Sequence, residues 1–287
     1  MTKSISVLNL LDYKKNGRKI TALTAYDYST AKQIDAAGID MILVGDSAAM
    51  VVLGYETTHS VTMDEMMMFS KAVVRGTEKA LVVVDMPFGS YQIDKKTAVE
   101  NACRIISETG AKAVKIEGGS PYIIDIIKHL SDIGIPVLGH LGFTPQSLHS
   151  LGGYNVQGKT LEQTKQLLNQ ALYLESAGAF GIVLEMVPEQ CAKIITEKSK
   201  IPIIGIGAGR YCDGQILVVD DIIGRYSNFK PKFARRYTDV ASSIHHAAQS
   251  FRADVLAGDF PSDTESFDLS KEEAEKFKNE FNAKSYY

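Results

Sequence analysis

Short apolar runs recur along this chain, each closed by a polar or glycine-rich stop and followed by a segment with helical spacing. Met41-Ile42-Leu43-Val44 runs straight into Gly45-Asp46-Ser47. The run is too short for a helix and does not alternate apolar with polar, so it predicts a strand buried on both faces, as in parallel sheets. Runs of the same kind stand at residues 20–26, 80–84, 113–119, 136–142, 181–185, 201–206 and 216–219. Between them the spacing predicts helices, among them 29–37, 63–75, 95–109, 122–133, 161–177 and 189–198, with one more over 240–256 and a short amphipathic one over 6–13. Thr62 with Glu65 three residues on makes a capping box, and Gly38 and Gly110 stand where left-handed C-terminal stops belong.

Strand–helix alternation implies a parallel sheet with right-handed crossovers. Eight such units in 287 residues predict an α/β fold of the (β/α)8 TIM-barrel type. The expected layout is a single barrel domain over 1–267, including the short N-terminal helix, and a charged tail over 268–287, helical or disordered. An open doubly wound sheet would want its glycine fingerprint after the first strand. Here the first run ends in Tyr26-Asp27, and the dense cluster Gly205-Ile206-Gly207-Ala208-Gly209 follows the seventh.

Composition narrows the function classes. Hydrophobic residues make up 45% of the chain, enough for a sizeable core. A net charge of -3, from 31 basic and 34 acidic residues, leaves no footprint for nucleic acid or an acidic membrane. No apolar run reaches the roughly 18 residues a membrane helix needs, and the first ten residues lack the apolar core of a signal peptide. Three widely spaced cysteines, Cys103, Cys191 and Cys212, suggest neither a disulfide framework nor a zinc ribbon. These features predict a cytoplasmic protein acting on small molecules, with no nucleic-acid or membrane partner.

The strand ends carry the candidate chemistry. Asp46 and Ser47 follow the second run and Asp85 the third; Lys115 and Glu117 lie on the fourth, His140 on the fifth, and Glu185 closes the sixth. In a barrel these ends converge on one face. Converging carboxylates repel unless something neutralises them, and Asp46, Asp85 and Glu117 form an all-oxygen set suited to a hard cation such as Mg²⁺. Each acid can instead cap a helix or pair with a neighbouring base. Lys115 can bind a substrate carboxylate or pair with Glu117. His140 reads as a ligand, an acid or a hydrogen-bonded interior histidine. Glu185, after four apolar residues, reads as a general base with a raised pKa or as a helix-start acid. The glycine cluster suits a phosphate or a tight turn, and Met66-Met67-Met68 reads as core filler.

With these segments placed, the chain resembles the ketopantoate hydroxymethyltransferase family. The carrying stretches include Thr24-Ala25-Tyr26-Asp27, Leu43-Val44-Gly45-Asp46-Ser47, Asp85-Met86-Pro87-Phe88, Val114-Lys115-Ile116-Glu117-Gly118-Gly119, Gly139-His140-Leu141-Gly142, Thr144-Pro145-Gln146-Ser147 and Leu184-Glu185. The resemblance implies that Asp46, Asp85 and Glu117 hold Mg²⁺, that Ser47 and Lys115 join the two aspartates in binding substrate, and that Glu185 accepts a proton. It implies transfer of a one-carbon unit from 5,10-methylenetetrahydrofolate to 3-methyl-2-oxobutanoate through a Mg²⁺-stabilised enolate, giving 2-dehydropantoate for pantothenate synthesis. It also implies a homo-oligomer, commonly a decamer. Thr58-His59-Ser60 before Val61-Thr62, Tyr211-Cys212, and the tail beyond Phe267 depart from the family pattern, and none touches an implied ligand. The competing reading on the same barrel is a Mg²⁺-dependent C–C lyase or phosphomutase of α-keto acids, but its lid motif of the Lys-x-Cys-Gly type is absent from the sequence.

Overall fold

Eight parallel strands follow one another around a closed barrel in a computed structural model that describes residues 4–226 and 231–281. They are β1 (Ile20–Thr24), β2 (Met41–Val44), β3 (Leu81–Asp85), β4 (Ala113–Glu117), β5 (Val137–Gly142), β6 (Gly181–Glu185), β7 (Ile203–Ile206) and β8 (Gly214–Leu217). Pairing of β1 with β8 completes the ring. The helices are α1 (Val7–Lys15), α2 (Tyr28–Ala36), α3 (Ala48–Val51), α4 (Met63–Gly76), α5 (Lys95–Thr109), α6 (Pro121–Asp132), α7 (Leu161–Ser176), α8 (Glu189–Lys198), α9 (Val219–Ile223), α10 (Val240–Ala257) and α11 (Lys271–Phe281). The short helices α3 and α9 carry too few residues to show a period, and the apolar pattern did not predict them.

Local signals set the helix ends. The Thr62 amide donates to Glu65 Oε2 (2.7 Å) and the Glu65 amide to Thr62 Oγ1 (3.3 Å), closing the capping box of α4. Asp94 Oδ1 accepts from the Thr97 amide (2.7 Å) at the start of α5, which stops on Gly110 at φ 82°.

Strand alternation sorts the core into two layers. Met41, Leu43, Leu81, Val83, Ala113, Leu138, Val183, Ile204 and Ile216 point into the barrel. Ile42, Val44, Val82, Val84, Val114, Ile116, Ile182 and Leu184 point outward against the helices, with Met66 and Met67 among their partners. The inward parity continues to the strand ends, so Asp85, Lys115, Glu117, His140 and Glu185 fall on the lumen side at the C-terminal mouth.

The described residues form two compact units, divided between Tyr237 and Thr238. The first contains the barrel. The second contains α10 and α11; α10 starts on Asp239, whose Oδ1 accepts from the Ser242 amide (3.1 Å), and ends on Gly258 at φ 78°. Within the charged 268–287 stretch, α11 is helical, and residues 282–287 lie outside the described residues. Among the described residues no helix is long and apolar enough to cross a membrane.

Candidate active site

A cavity of about 1040 Å³ opens at the C-terminal mouth, lined by Asp46, Ser47, Asp85, Lys115, Glu117, His140 and Glu185 together with apolar side chains such as Leu43, Val183 and Ile206. All seven residues singled out in the sequence meet there. Cross-strand register places them side by side: Asp85 stands opposite Lys115, Glu117 opposite His140, and Gly142 opposite Glu185.

Asp46 lies two residues past the end of β2, in the turn that leads into α3. Gly45 occupies the inward position, where a Cβ would sit 2.8 Å from Ser47 Oγ and 3.5 Å from Asp85 Oδ2. The missing side chain lets those groups share the space. Asp46 caps no helix: α3 begins after Ser47, without a side-chain cap. Its amide instead donates to Asp85 Oδ2 (3.1 Å), and its own Oδ2 accepts from Gln146 Nε2 (2.9 Å). Ser47 Oγ hydrogen-bonds the Tyr26 hydroxyl (2.8 Å).

Lys115 Nζ donates to Asp85 Oδ1 at 2.6 Å and lies 3.6 Å from Glu117 Oε1. His140 bridges the other side, with Nδ1 3.2 Å from Glu117 Oε1 and Nε2 3.3 Å from Glu185 Oε2. Glu117 Oε2 accepts from the Gln146 amide (3.0 Å). Both readings of Lys115 are thus compatible: its ion pairs hold it at the wall of the cavity. Glu185 does not have the wholly apolar surroundings expected from its strand, because one face meets the imidazole and its side chain keeps 15% of its surface open. The next residue, Met186, takes φ 47°, a left-handed conformation uncommon outside glycine. Hydrogen bonds from its amide to Ile206 O and from the Gln157 amide to its carbonyl (both 2.9 Å) fix that turn.

Burial sets the electrostatics. Asp46 is 4% exposed, and burial, reinforced by the charges of Asp85 and Glu117, holds its carboxyl well above the ordinary range. Burial also raises Asp85, against the pull of Lys115. Burial pushes Glu117 the same way, but His140, Lys115 and the Gln146 amide together bring it below the ordinary value. Burial lowers Lys115, yet the three carboxylates lift it above an ordinary lysine. His140 is pushed down by burial and by Lys115, but Glu117 and the contact with Glu185 prevail and place it at about 9.

A histidine raised in the folded state adds stability that is complete below its ordinary value near 6.5 and is lost as pH rises through about 9. We expect the metal-free protein to lose melting temperature between pH 7 and 10, and His140→Gln to flatten that slope. An unchanged slope in the variant, read by thermal melts in chelator, would contradict the bridging role.

Sequence reasoning missed Gln146 and Tyr91 as parts of the site. The Tyr91 hydroxyl donates to Gln146 Oε1 (2.7 Å) and accepts from the Glu117 amide (3.2 Å). For Gln146 the only signal was membership of the quoted Thr144-Pro145-Gln146-Ser147 stretch, and for Tyr91 there was none. The glycine cluster after β7 has a close-approach explanation. A Cβ at Gly207 would meet the Phe233 ring at 2.9 Å, one at Gly209 would meet Glu189 at 2.6 Å, and both residues have positive φ.

Residues 4–263 match the family model described as ketopantoate hydroxymethyltransferase. A protein of Thermoanaerobacter sp. (strain X514) named 3-methyl-2-oxobutanoate hydroxymethyltransferase is 53% identical over 273 residues, 95% of this chain and 99% of the relative. Its namesake in Syntrophomonas wolfei subsp. wolfei (strain DSM 2245B / Goettingen) is 52% identical over 93% of this chain and 97% of its own. Among solved structures, phosphonopyruvate hydrolase in complex with oxalate and Mg²⁺ superposes with a TM-score of 0.58 at 13% identity, covering 97% of this chain and 99% of that one. A 2,3-dimethylmalate lyase superposes at 0.56 with 14% identity, covering 95% and 98%. At such identities the structural likeness speaks for the barrel alone.

Proposed function

The chain belongs to the ketopantoate hydroxymethyltransferase family, and from that premise we propose that it moves a one-carbon unit from 5,10-methylenetetrahydrofolate onto C3 of 3-methyl-2-oxobutanoate. The observation that carries the reading is the buried set Asp46, Asp85, Lys115 and Glu117 facing Glu185 across His140 in one cavity.

The donor set suits Mg²⁺. Asp46, Asp85, Glu117 and Glu185 cluster around one lysine and one raised histidine, and Glu56, Asp221 and Arg225 also line the cavity, so the site stays short of positive charge. Among the described residues no three His, Cys, Asp or Glu side chains form a ready-made cage, so the reading rests on the all-oxygen chemistry of the converging acids. Asp46, Asp85 and Glu117 would hold it. When bound, it supplies Lewis-acid polarisation of the substrate keto oxygen.

The chain's own groups do the rest. Lys115 attracts the substrate carboxylate, and Ser47 Oγ, oriented by Tyr26, donates to a substrate oxygen. Glu185 takes the C3 proton: the C–H bond breaks, its electron pair enters an enolate, and the carboxylate becomes a carboxylic acid. C3 then bonds to the one-carbon unit, whose two C–N bonds to the folate break; water supplies the hydroxyl oxygen, and one water proton and the proton taken by Glu185 end on the folate nitrogens, so tetrahydrofolate leaves and the carboxylate is restored. A positioned base contributes about 10²–10⁴-fold. His140 Nε2 is a buried nitrogen without a geometrically complete hydrogen bond, although it lies 3.3 Å from Glu185 Oε2.

Incubation with both substrates and Mg²⁺ is expected to yield 2-dehydropantoate, read by mass spectrometry, and excess chelator to abolish it. No product with Mg²⁺ present would overturn the proposal. We also propose homo-oligomeric assembly, by family a decamer, in the cytoplasm. Supporting it, Ile244, Phe251 and Val255 stand at helical spacing on one face of α10, an apolar stripe of the kind a partner covers. Native mass spectrometry showing a monomer would refute assembly.

A further inference from the structure

Gln146 uses every hydrogen-bonding position it has. Its Nε2 donates to Asp46 Oδ2 and to the Met86 carbonyl, both at 2.9 Å. Its Oε1 accepts from the Tyr91 hydroxyl (2.7 Å) and from Gln92 Nε2 (2.9 Å). Those two donors decide which way round the amide lies. With Oε1 held by hydroxyl and amide hydrogens, the NH₂ group must face Asp46 and the Met86 carbonyl, and both of its hydrogens are used. The main chain adds two contacts: the Gln146 amide donates to Glu117 Oε2 (3.0 Å), and its carbonyl bonds His59 Nε2 (2.9 Å). One residue, 100 positions from Asp46 in sequence, thus grips two carboxylates of the candidate cation site.

We propose that Gln146 is a positioning residue for a hard divalent cation, fixing the Asp46 carboxylate so that Oδ1 is presented to the ion. This inference rests on the cation reading given under Proposed function. Asp46 needs such a grip because it lies beyond the end of β2, where no strand neighbour sets its side chain. Left to itself it would rotate away from Asp85 and Glu117, both negative. Gln146 holds Oδ2, and among the described residues nothing donates to Oδ1. The main-chain bond to Glu117 works in the same direction on a second acid. A neutral donor is the group this job calls for. An ammonium at that place would neutralise the carboxylates, and a further carboxylate would repel Asp46. Partners that orient a ligand in advance are typically worth about 10–100-fold in metal affinity.

The test uses Mn²⁺, visible by electron paramagnetic resonance, titrated into the substrate-free protein so that no turnover enters the readout. Gln146→Met keeps the length and removes the amide. Tyr91→Phe removes one of the two donors that fix the amide. We expect Gln146→Met to bind Mn²⁺ about 10–100-fold more weakly than wild type, and Tyr91→Phe to show a smaller loss. In the double variant the losses are expected to be less than additive, because Tyr91 acts largely through Gln146. A merely structural role predicts otherwise: a lower melting temperature with an unchanged Mn²⁺ affinity of the folded protein. Gln146→Met within about twofold of wild type, or fully additive losses, would overturn the proposal. If Gln146→Met does not fold, Tyr91→Phe decides alone, a weakened affinity supporting the proposal and an unchanged one overturning it. Wild-type protein that binds no Mn²⁺ refutes the cation reading itself, a different failure from a variant that binds as wild type does.

Discussion

Asp46→Asn is expected to remove nearly all turnover while leaving the metal-free fold as stable as wild type, or more so. The side chain is buried, and burial with the charges of Asp85 and Glu117 raises its carboxyl well above the ordinary range. A raised acid stabilises the folded state only while protonated, so this contribution declines as pH rises above the ordinary carboxylate value. Wherever the group is ionised, its burial and the neighbouring charges weigh against folding. Asn keeps the shape, gives Gln146 Nε2 an oxygen to meet, and removes one of the crowded charges. Losing a Lewis-acid ligand worth several kcal/mol translates at about 1.4 kcal/mol per decade into roughly 10²–10⁴-fold in kcat/KM. Thermal melts in chelator and steady-state rates at saturating Mg²⁺ measure the two halves. A variant that melts earlier but turns over normally would show Asp46 to be a structural residue.

The largest stability effect is expected from Lys115→Met. Lys115 is the only lysine among the lumen-facing charges singled out, and it lies 2.6 Å from Asp85 and 3.6 Å from Glu117. Its folded-state value is raised, so its contribution is complete below the ordinary lysine range and lost only as pH climbs beyond it. The whole effect is therefore present at pH 7. Removing one partner of a buried pair leaves the other uncompensated, at a cost of about 3–5 kcal/mol. Urea denaturation of the metal-free protein reads it. Adding Asp85→Asn to Lys115→Met is expected to recover part of the loss, because the stranded carboxylate is then gone. Equal denaturation midpoints for wild type and Lys115→Met would sink the charge balance described for the site.

Strand chemistry was legible in the sequence because it obeys a period. Lys115 and Glu117 lie two residues apart on β4, so alternation alone puts both on one face, and the same parity carries Asp85, His140 and Glu185 into the lumen. Gln146 and Tyr91 obey no period. They sit in connections after β5 and β3, and their value comes from reaching across the mouth, which spacing along the chain does not encode. Glu185 shows the converse error: four apolar neighbours in sequence suggested an apolar setting, but its facing partner, His140, comes from another strand. Over 240–256 the helix was legible from its spacing, whereas any partner of its apolar residues was not. A helix period reports that a face is apolar and says nothing about its partner. The Met41–Ser47 stretch gained most from the structure, since Gly45 proves to be the gap into which Ser47 and Asp85 fit.

In the proposed reaction Glu185 takes the C3 proton of an α-keto acid held at the carboxylate cluster. Deuterium exchange tests it without the folate partner. Protein, Mg²⁺ and 3-methyl-2-oxobutanoate are mixed in D₂O, and the C3 proton is followed by nuclear magnetic resonance. Exchange is expected to require Mg²⁺ and to fall by about 10²–10⁴-fold in Glu185→Gln. Exchange that proceeds equally well in Glu185→Gln, or no exchange at all with the wild type, would contradict it.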